Sequence, residues 1–291
     1  MTSTLTLQKQ ATEKNKVQII DFYNEATEDY KFWSKDFNMH FGYYIPFKTC
    51  VFTRDSMLNQ MNHQVLKRLG LSTTRTNLID LGCGMGGTMR YAMKKHNTLT
   101  AFGVTLSDFQ VQKGNELLTN LNGTILKENY NSTSFKDNTF DAATAIESFC
   151  HSGHSKDSIQ EAFRILKPKG TLVIADAFLK KPSDKLNASS RFAHDHLCHH
   201  YSLEKLETID TMVNNLKQMG FKHVKAENIS YRVAPSVFHV PFAILGFMLK
   251  KLLTHKKLKR ESLHNLKGSF YALLSGLHLK SFGYYLITAI K

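Results

Sequence analysis

The chain has 291 residues and a formal net charge of +14, with 42% apolar and 11% aromatic residues, among them 20 Phe and 11 Tyr but one Trp. That much apolar surface excludes a disordered chain, and the longest apolar run, Val240 to Leu249, is about half of the ~20 residues a spanning helix needs. Four cysteines (Cys50, Cys83, Cys150, Cys198) with no C-x-x-C pair exclude a disulfide scaffold and a zinc ribbon, and predict free thiols in a reducing cytosol.

Residues 1–70 read as a helical, aromatic-rich cap, whose first 16 residues lack the apolar core of a signal peptide. Strands alternate with helices after it. Short apolar or β-branched runs predict strands at 77–81, 99–106, 124–130, 140–147, 171–178, 221–230 and 283–290. Helices are predicted over 87–96, from the cap Ser107 to about 121, over 156–166, and over 203–219 closed by Gly220. Residues 167–170 read as a turn. The fold class is therefore α/β: a Rossmann-like, seven-stranded, mostly parallel sheet with helices on both faces. Ligands on such sheets sit at the carboxyl ends of the strands.

Residues 231–280 interrupt the alternation. They hold nine Lys/Arg against one acid, more than half of the net charge. Two helices, 237–253 and 263–279, joined by a basic loop fit the pattern. Their basic excess suits an anionic partner. Nucleic acid is set aside, because no recognition-helix or RNA motif is present and the charge is interleaved with Leu and Phe. A solvated charge run on an ordinary lid is the plainer reading.

Asp80-Leu-Gly82-Cys83-Gly84-Met-Gly86-Gly87 closes the first strand and opens the first helix. Glycines there let a ligand approach the backbone. The spacing is G-x-G-x-G preceded by an acid, unlike the dinucleotide G-x-G-x-x-G, and the acid suits a cationic amino or sulfonium group. A tight turn without a ligand is the alternative.

This segment resembles the first motif of class I S-adenosylmethionine-dependent methyltransferases. Phe135 to Asp141 and Arg164 to Gly170 resemble that family's later segments. Phe102-Gly-Val-Thr105-Leu106-Ser-Asp-Phe-Gln110 is similar to the sterol, prenyl-diphosphate and cyclopropane-forming members. The resemblance implies a methyltransferase domain at 71–291, with 1–70 as lid and an acceptor pocket under the 231–280 insertion. It implies S-adenosylmethionine held by Asp80, Gly82, Cys83, Gly84 and Gly86, with Thr105, Leu106 and Gln110 at the ribose. Asn129 and Tyr130 fall at the adenine, and Tyr30 and Tyr43 in the lid. Gln110 as a solvated helix residue and Tyr130 as a core aromatic stay open.

Ala145-Ile-Glu147-Ser-Phe149-Cys-His151 ends the fourth strand, where sterol- and prenyl-methylating enzymes use a Glu. Glu147 is expected to act as base and cation stabiliser, with His151 as a second base or pocket wall. A structural strand-end acid is the alternative. Trp33, His40, Phe149, His199, Tyr201, Phe238 and Phe242 are expected in the acceptor pocket, with Phe247, Phe270 and Tyr271 nearby. The adjacent histidines at 199–200 lack a Cys/His partner at ligand spacing, so no metal site is predicted. Mg is expected only with a diphosphate acceptor. The expected function is carbon methylation of an isoprenoid or sterol-like lipid. O- or N-methylation of a lipid or polyketide-type molecule is the alternative, and a non-catalytic binding protein of the same fold the third reading. A cytoplasmic location is expected, with the basic insertion meeting either a diphosphate or an anionic membrane.

Overall fold

The computed structural model describes residues 33–71, 76–152, 155–253 and 260–291. Tyr30, most of the expected N-terminal cap and the basic loop at 254–259 lie outside them. After loops and turns at 34–53 the elements run α1 (Arg54–Leu69), β1 (Thr76–Leu81), α2 (Gly87–Lys95), β2 (Leu99–Thr105), α3 (Asp108–Leu117), β3 (Gly123–Lys127) and β4 (Phe140–Ile146). There follow α4 (Ser155–Ile165), β5 (Leu166–Leu179), α5 (Ala188–His200), α6 (Ile209–Met219) and β6 (Lys222–Asn228). The chain then forms α7 (Ser230–Val237), α8 (Val240–Leu253), α9 (Arg260–Leu277) and β7 (Phe282–Ile290).

The seven strands form one sheet in the order β3-β2-β1-β4-β5-β7-β6. All pairings are parallel except those of β7, which runs antiparallel to both β5 and β6. Alternate residues feed two cores. Ile79, Leu81, Ile174 and Ile287 pack with α4 and α6 on one face. Leu78, Val173, Ala175 and Leu286 pack with α1 and α2 on the other. Strands buried on both faces read as continuous apolar runs, which is why the sequence resolves them.

Several boundaries differ from expectation. β5 starts at Leu166, five residues early, because Leu166 already pairs with Phe140 and Lys169 donates its N–H to Lys291 O at 2.9 Å. The expected turn is thus part of the strand. β3 stops at Lys127 because the chain turns through an Asn129–Ser132 bridge. Helix α5 was not expected; Asn187 caps it by accepting from Ser190 N. The helix expected from 203 begins at Ile209, where Thr208 caps it, so 203–208 is not helical. The sixth strand ends at Asn228, and the insertion opens with a third helix, α7, that tolerates Pro235. Ser230–Leu253 is long and apolar enough to cross a membrane by length and composition, which exceeds the shorter run expected.

Candidate active site

The carboxyl ends of β1, β2 and β4 open on a cavity of about 360 Å³. Its floor is the glycine turn. Gly82 has φ +87, and a Cβ there would lie 2.4 Å from Ser148 Cβ. Gly84 has φ +53, and a Cβ would stand 2.9 Å from Met39 Sδ. Gly82 therefore requires glycine for backbone angle and for space, and Gly84 for its backbone angle. Asp80 is buried and accepts from Thr144 Oγ1 at 3.0 Å. Burial pushes its carboxyl up to about 7, and no ion pair to it occurs among the described residues. A buried acid facing a cavity in this way fits a cationic ligand group.

Thr105, Leu106, Gln110, Asn129 and Tyr130 line the same cavity. Thr105 Oγ1 donates to Gln110 Oε1 at 2.5 Å, and Ser107 Oγ, the cap of α3, accepts from Gln110 N. Gln110 is buried, not solvated. Asn129 Oδ1 accepts from Asn131 N at 3.0 Å. Tyr130 donates its hydroxyl to Ser148 O at 2.7 Å, with its ring against Phe149. Phe37, Asn38, Met39 and His40 complete the wall. His40 sits between Phe41 O (2.8 Å) and Asn62 Oδ1 (3.1 Å), and Asn62 also joins Asn38 and Thr88.

A second cavity, about 190 Å³ and mostly apolar, lies under the insertion. Leu197, Tyr201, Leu203 and Leu206 line one side; Val233, Val237, Phe238 and Leu277 line the other. Met39, Glu147 and His151 line both cavities. Glu147 is the residue after β4 and has φ +49, a conformation that is costly for a side chain with a Cβ. Its N–H is pinned to Ala175 O at 2.8 Å. Its Oε1 accepts from Phe41 N and from the Tyr284 hydroxyl, each at 2.7 Å. Burial outweighs those bonds and pushes the carboxyl up to about 8. Burial lowers His151 to about 4, so its imidazole is neutral at pH 7. Asp176, also lining the second cavity, accepts from Cys150 N and Ala177 N, and burial lifts it to about 6.

The geometry corrects several expected positions. His40 lines the first cavity, not the acceptor side. Gly86 caps α2 without lining either cavity. Tyr43 packs on the core cluster around Met61 and Leu78. Trp33 donates Nε1 to His40 O and lies under Arg54. Phe149 is core, behind Tyr130. Phe242 is 72% exposed and His199 is exposed; neither lines either of these two cavities. Of the insertion aromatics, Phe238 alone among the described residues lines the second cavity; Phe247 is buried, Phe270 exposed, and Tyr271 stacks on His196 and His200. Sequence reasoning missed Asp176 and Tyr284. An acid inside the apolar run Val173-Ile-Ala-Asp176 was a readable signal. The reach of Tyr284 across 137 residues was not.

Residues 79–174 match the family model described as a methyltransferase domain. A sterol 24-C-methyltransferase of Neurospora crassa is 26% identical over 260 residues, covering 85% of this chain and 66% of that protein. A 24-methylenesterol C-methyltransferase of Arabidopsis thaliana is 30% identical over 163 residues, covering 53% and 42%. The chain thus spans less than two thirds of the length of these relatives. In fold it is similar to a cyclopropane synthase of Mycobacterium tuberculosis (TM-score 0.79, 16% identity, 94% of this chain and 98% of that one). It is also similar to a geranyl diphosphate methyltransferase solved with its substrate and sinefungin (TM-score 0.71, 17% identity, 95% and 99%).

Proposed function

We propose that this chain, which carries a class I methyltransferase domain on residues 79–174, methylates a carbon of a lipophilic isoprenoid or sterol-like acceptor from S-adenosylmethionine. The observation that carries the reading is Glu147, a buried carboxyl at the junction of a polar cavity and an apolar one. When bound, S-adenosylmethionine supplies an electrophilic methyl group. Asp80 would hold its amino group, Thr105, Leu106 and Gln110 its ribose, and Asn129 and Tyr130 its adenine. The glycine turn leaves room for the ligand against the backbone. A sterol- or geranyl-type acceptor suits the apolar cavity, as the names of the relatives suggest. Mg enters only if that acceptor is a diphosphate, as in a geranyl diphosphate C-methyltransferase of Streptomyces coelicolor solved with Mg²⁺.

Methylating an alkene leaves a positive charge on the neighbouring acceptor carbon. Glu147 offsets that charge and takes the adjacent proton. Phe41 N–H and the Tyr284 hydroxyl fix the orientation of its carboxylate. Phe41, Tyr201 and Tyr284 line the apolar cavity, and an aromatic face turned toward a cation stabilises it by about 0.5–2 kcal/mol. His151, neutral at pH 7, is a second proton acceptor on the same wall. Apolar walls keep water from the cation.

The outer face of α7–α8 suggests how a lipid arrives. Phe238 lines the apolar cavity and is 56% exposed. Phe242, Leu245, Leu249, Leu252 and Leu253 continue the exposed surface, beside a chain segment rich in lysine. Such a surface favours peripheral contact with an anionic membrane from the cytoplasmic side.

Calorimetry with S-adenosylhomocysteine should show 1:1 binding; no binding to folded protein overturns the cofactor reading. Labelled S-adenosylmethionine with sterols, prenyl diphosphates and quinols identifies the acceptor. Label appearing only on oxygen or nitrogen overturns carbon methylation. Flotation with phosphatidylserine vesicles should recover the protein at low salt, and the Phe242→Asp, Leu249→Asp variant should stay behind. Equal recovery of both overturns the membrane face.

A further inference from the structure

We infer that His199, His200 and His264 form a binding site for a divalent transition-metal ion of the zinc class, separate from both cavities. Sequence spacing gave no hint of it, because His264 is 64 residues from His200. The fold brings the end of α5, which carries His199 and His200, against α9, which carries His264. One ring nitrogen from each of the three lies within 4.8 Å of the others. His200 Nδ1 and His264 Nδ1 are 3.1 Å apart.

A single ion with tetrahedral bonds of ~2.0–2.1 Å holds its nitrogens ~3.4 Å apart. The His200–His264 pair already stands near that spacing. His199 closes the remainder by rotating an exposed ring. Among the described residues the donor set is three imidazoles, which suits Zn²⁺, Co²⁺, Ni²⁺ or Cu²⁺ better than Mg²⁺ or Ca²⁺. Three protein ligands leave a fourth position for water. The Tyr271 ring stacks on His200 at 5.4 Å and 11°, which fixes the plane of that imidazole. Lys267, the lysine whose charge bears on His200, is exposed and therefore screened.

The position gives the ion a task. Leu197 and Tyr201 of the α5 end, and Ala272, Leu273 and Gly276 of α9, wall the apolar cavity. An ion held by both helices clips the insertion over that cavity, independently of what the cavity binds.

The test uses the full chain without a polyhistidine tag, stripped with EDTA and titrated with ZnCl₂ in a calorimeter. One ion per chain is expected, and Co²⁺ should give the visible absorption of a tetrahedral centre. His264→Ala should weaken zinc binding by more than the ~10–100-fold that losing an outer-shell partner costs. His264→Cys should restore it, since a thiolate also ligates zinc. Far-UV circular dichroism and the melting temperature in EDTA, unchanged in both variants, show that folding is intact. Absence of saturable 1:1 binding in the parent chain overturns the proposal. So does equal affinity in the His199→Ala, His264→Ala variant.

Discussion

Glu147→Gln should abolish methyl transfer and at the same time stabilise the protein in a pH-dependent way. The Glu147 carboxyl has its affinity for protons raised from the ordinary 4.5 to about 8 by burial. Between those two values the folded chain binds a proton that the unfolded chain releases. Stability therefore falls as pH rises through this window, and is flat below and above it. Each pH unit costs 1.36 kcal/mol. The full penalty is thus about 5 kcal/mol, with about 3 kcal/mol felt at pH 7. Glu147 borders two cavities, and the effective dielectric at a real buried site, higher than that of a dry interior, reduces it. Glutamine keeps an oxygen for the Phe41 N–H and the Tyr284 hydroxyl and carries no charge. The expected gain is about 1–3 kcal/mol at pH 7, or roughly 2–10 °C in melting temperature for a domain of this size. It should vanish near pH 4.5 and be largest above pH 8. Urea and thermal unfolding of both proteins at pH 4.5, 7 and 9 measure it. A variant that is less stable at every pH, or a difference that does not change with pH, would refute the reasoning.

Three further outcomes are expected. Affinity for S-adenosylhomocysteine should rise with pH up to about 7 as Asp80 ionises, and Asp80→Asn should give a flat, weaker profile by calorimetry. Tyr284→Phe removes a hydrogen bond that lowers the Glu147 pKa, so the inflection in kcat/KM near pH 8 should move upward; an unmoved inflection separates Tyr284 from the base. Gly82→Ala forces a Cβ to 2.4 Å from Ser148 at φ +87, and should destabilise the fold by about 1–3 kcal/mol while weakening S-adenosylhomocysteine binding at least tenfold; wild-type binding and melting would contradict the cradle.

The strands and the glycine turn were legible because each is local. A buried parallel strand is a continuous apolar run, and Gly82 and Gly84 mark a turn of positive φ that favours glycine. Glu147 was legible for the same reason, as an acid closing an apolar run. What pins it was not. Phe41 and Tyr284 lie 106 and 137 residues away, and no periodicity encodes such meetings. Tyr43 carries the composition expected of a cofactor lid, and Phe149 and Phe242 that of an acceptor pocket. Packing sends the first two into core clusters and leaves Phe242 outside. Helix α5 went unread because its apolar positions, Phe192, Leu197 and Cys198, are sparse among histidines and serines.

The place of β7 in the sheet has a kinetic meaning. β6 touches no other strand, and β5 has β7 as its neighbour on that side. Until residues 282–290 insert, both edges stand open and Glu147 lacks the Tyr284 hydroxyl. Closing the sheet means bringing β7 to strands more than 50 and more than 100 residues earlier in the chain, a slow search in which loop-closure entropy must be met first. Refolding should therefore pass through a species with a half-built sheet and exposed strand edges, prone to associate with its own kind. In such a molecule the last step of folding and the completion of the hydrogen bonds that hold Glu147 are one event, and a nascent chain halted before β7 would have the glycine turn without the Tyr284 contact.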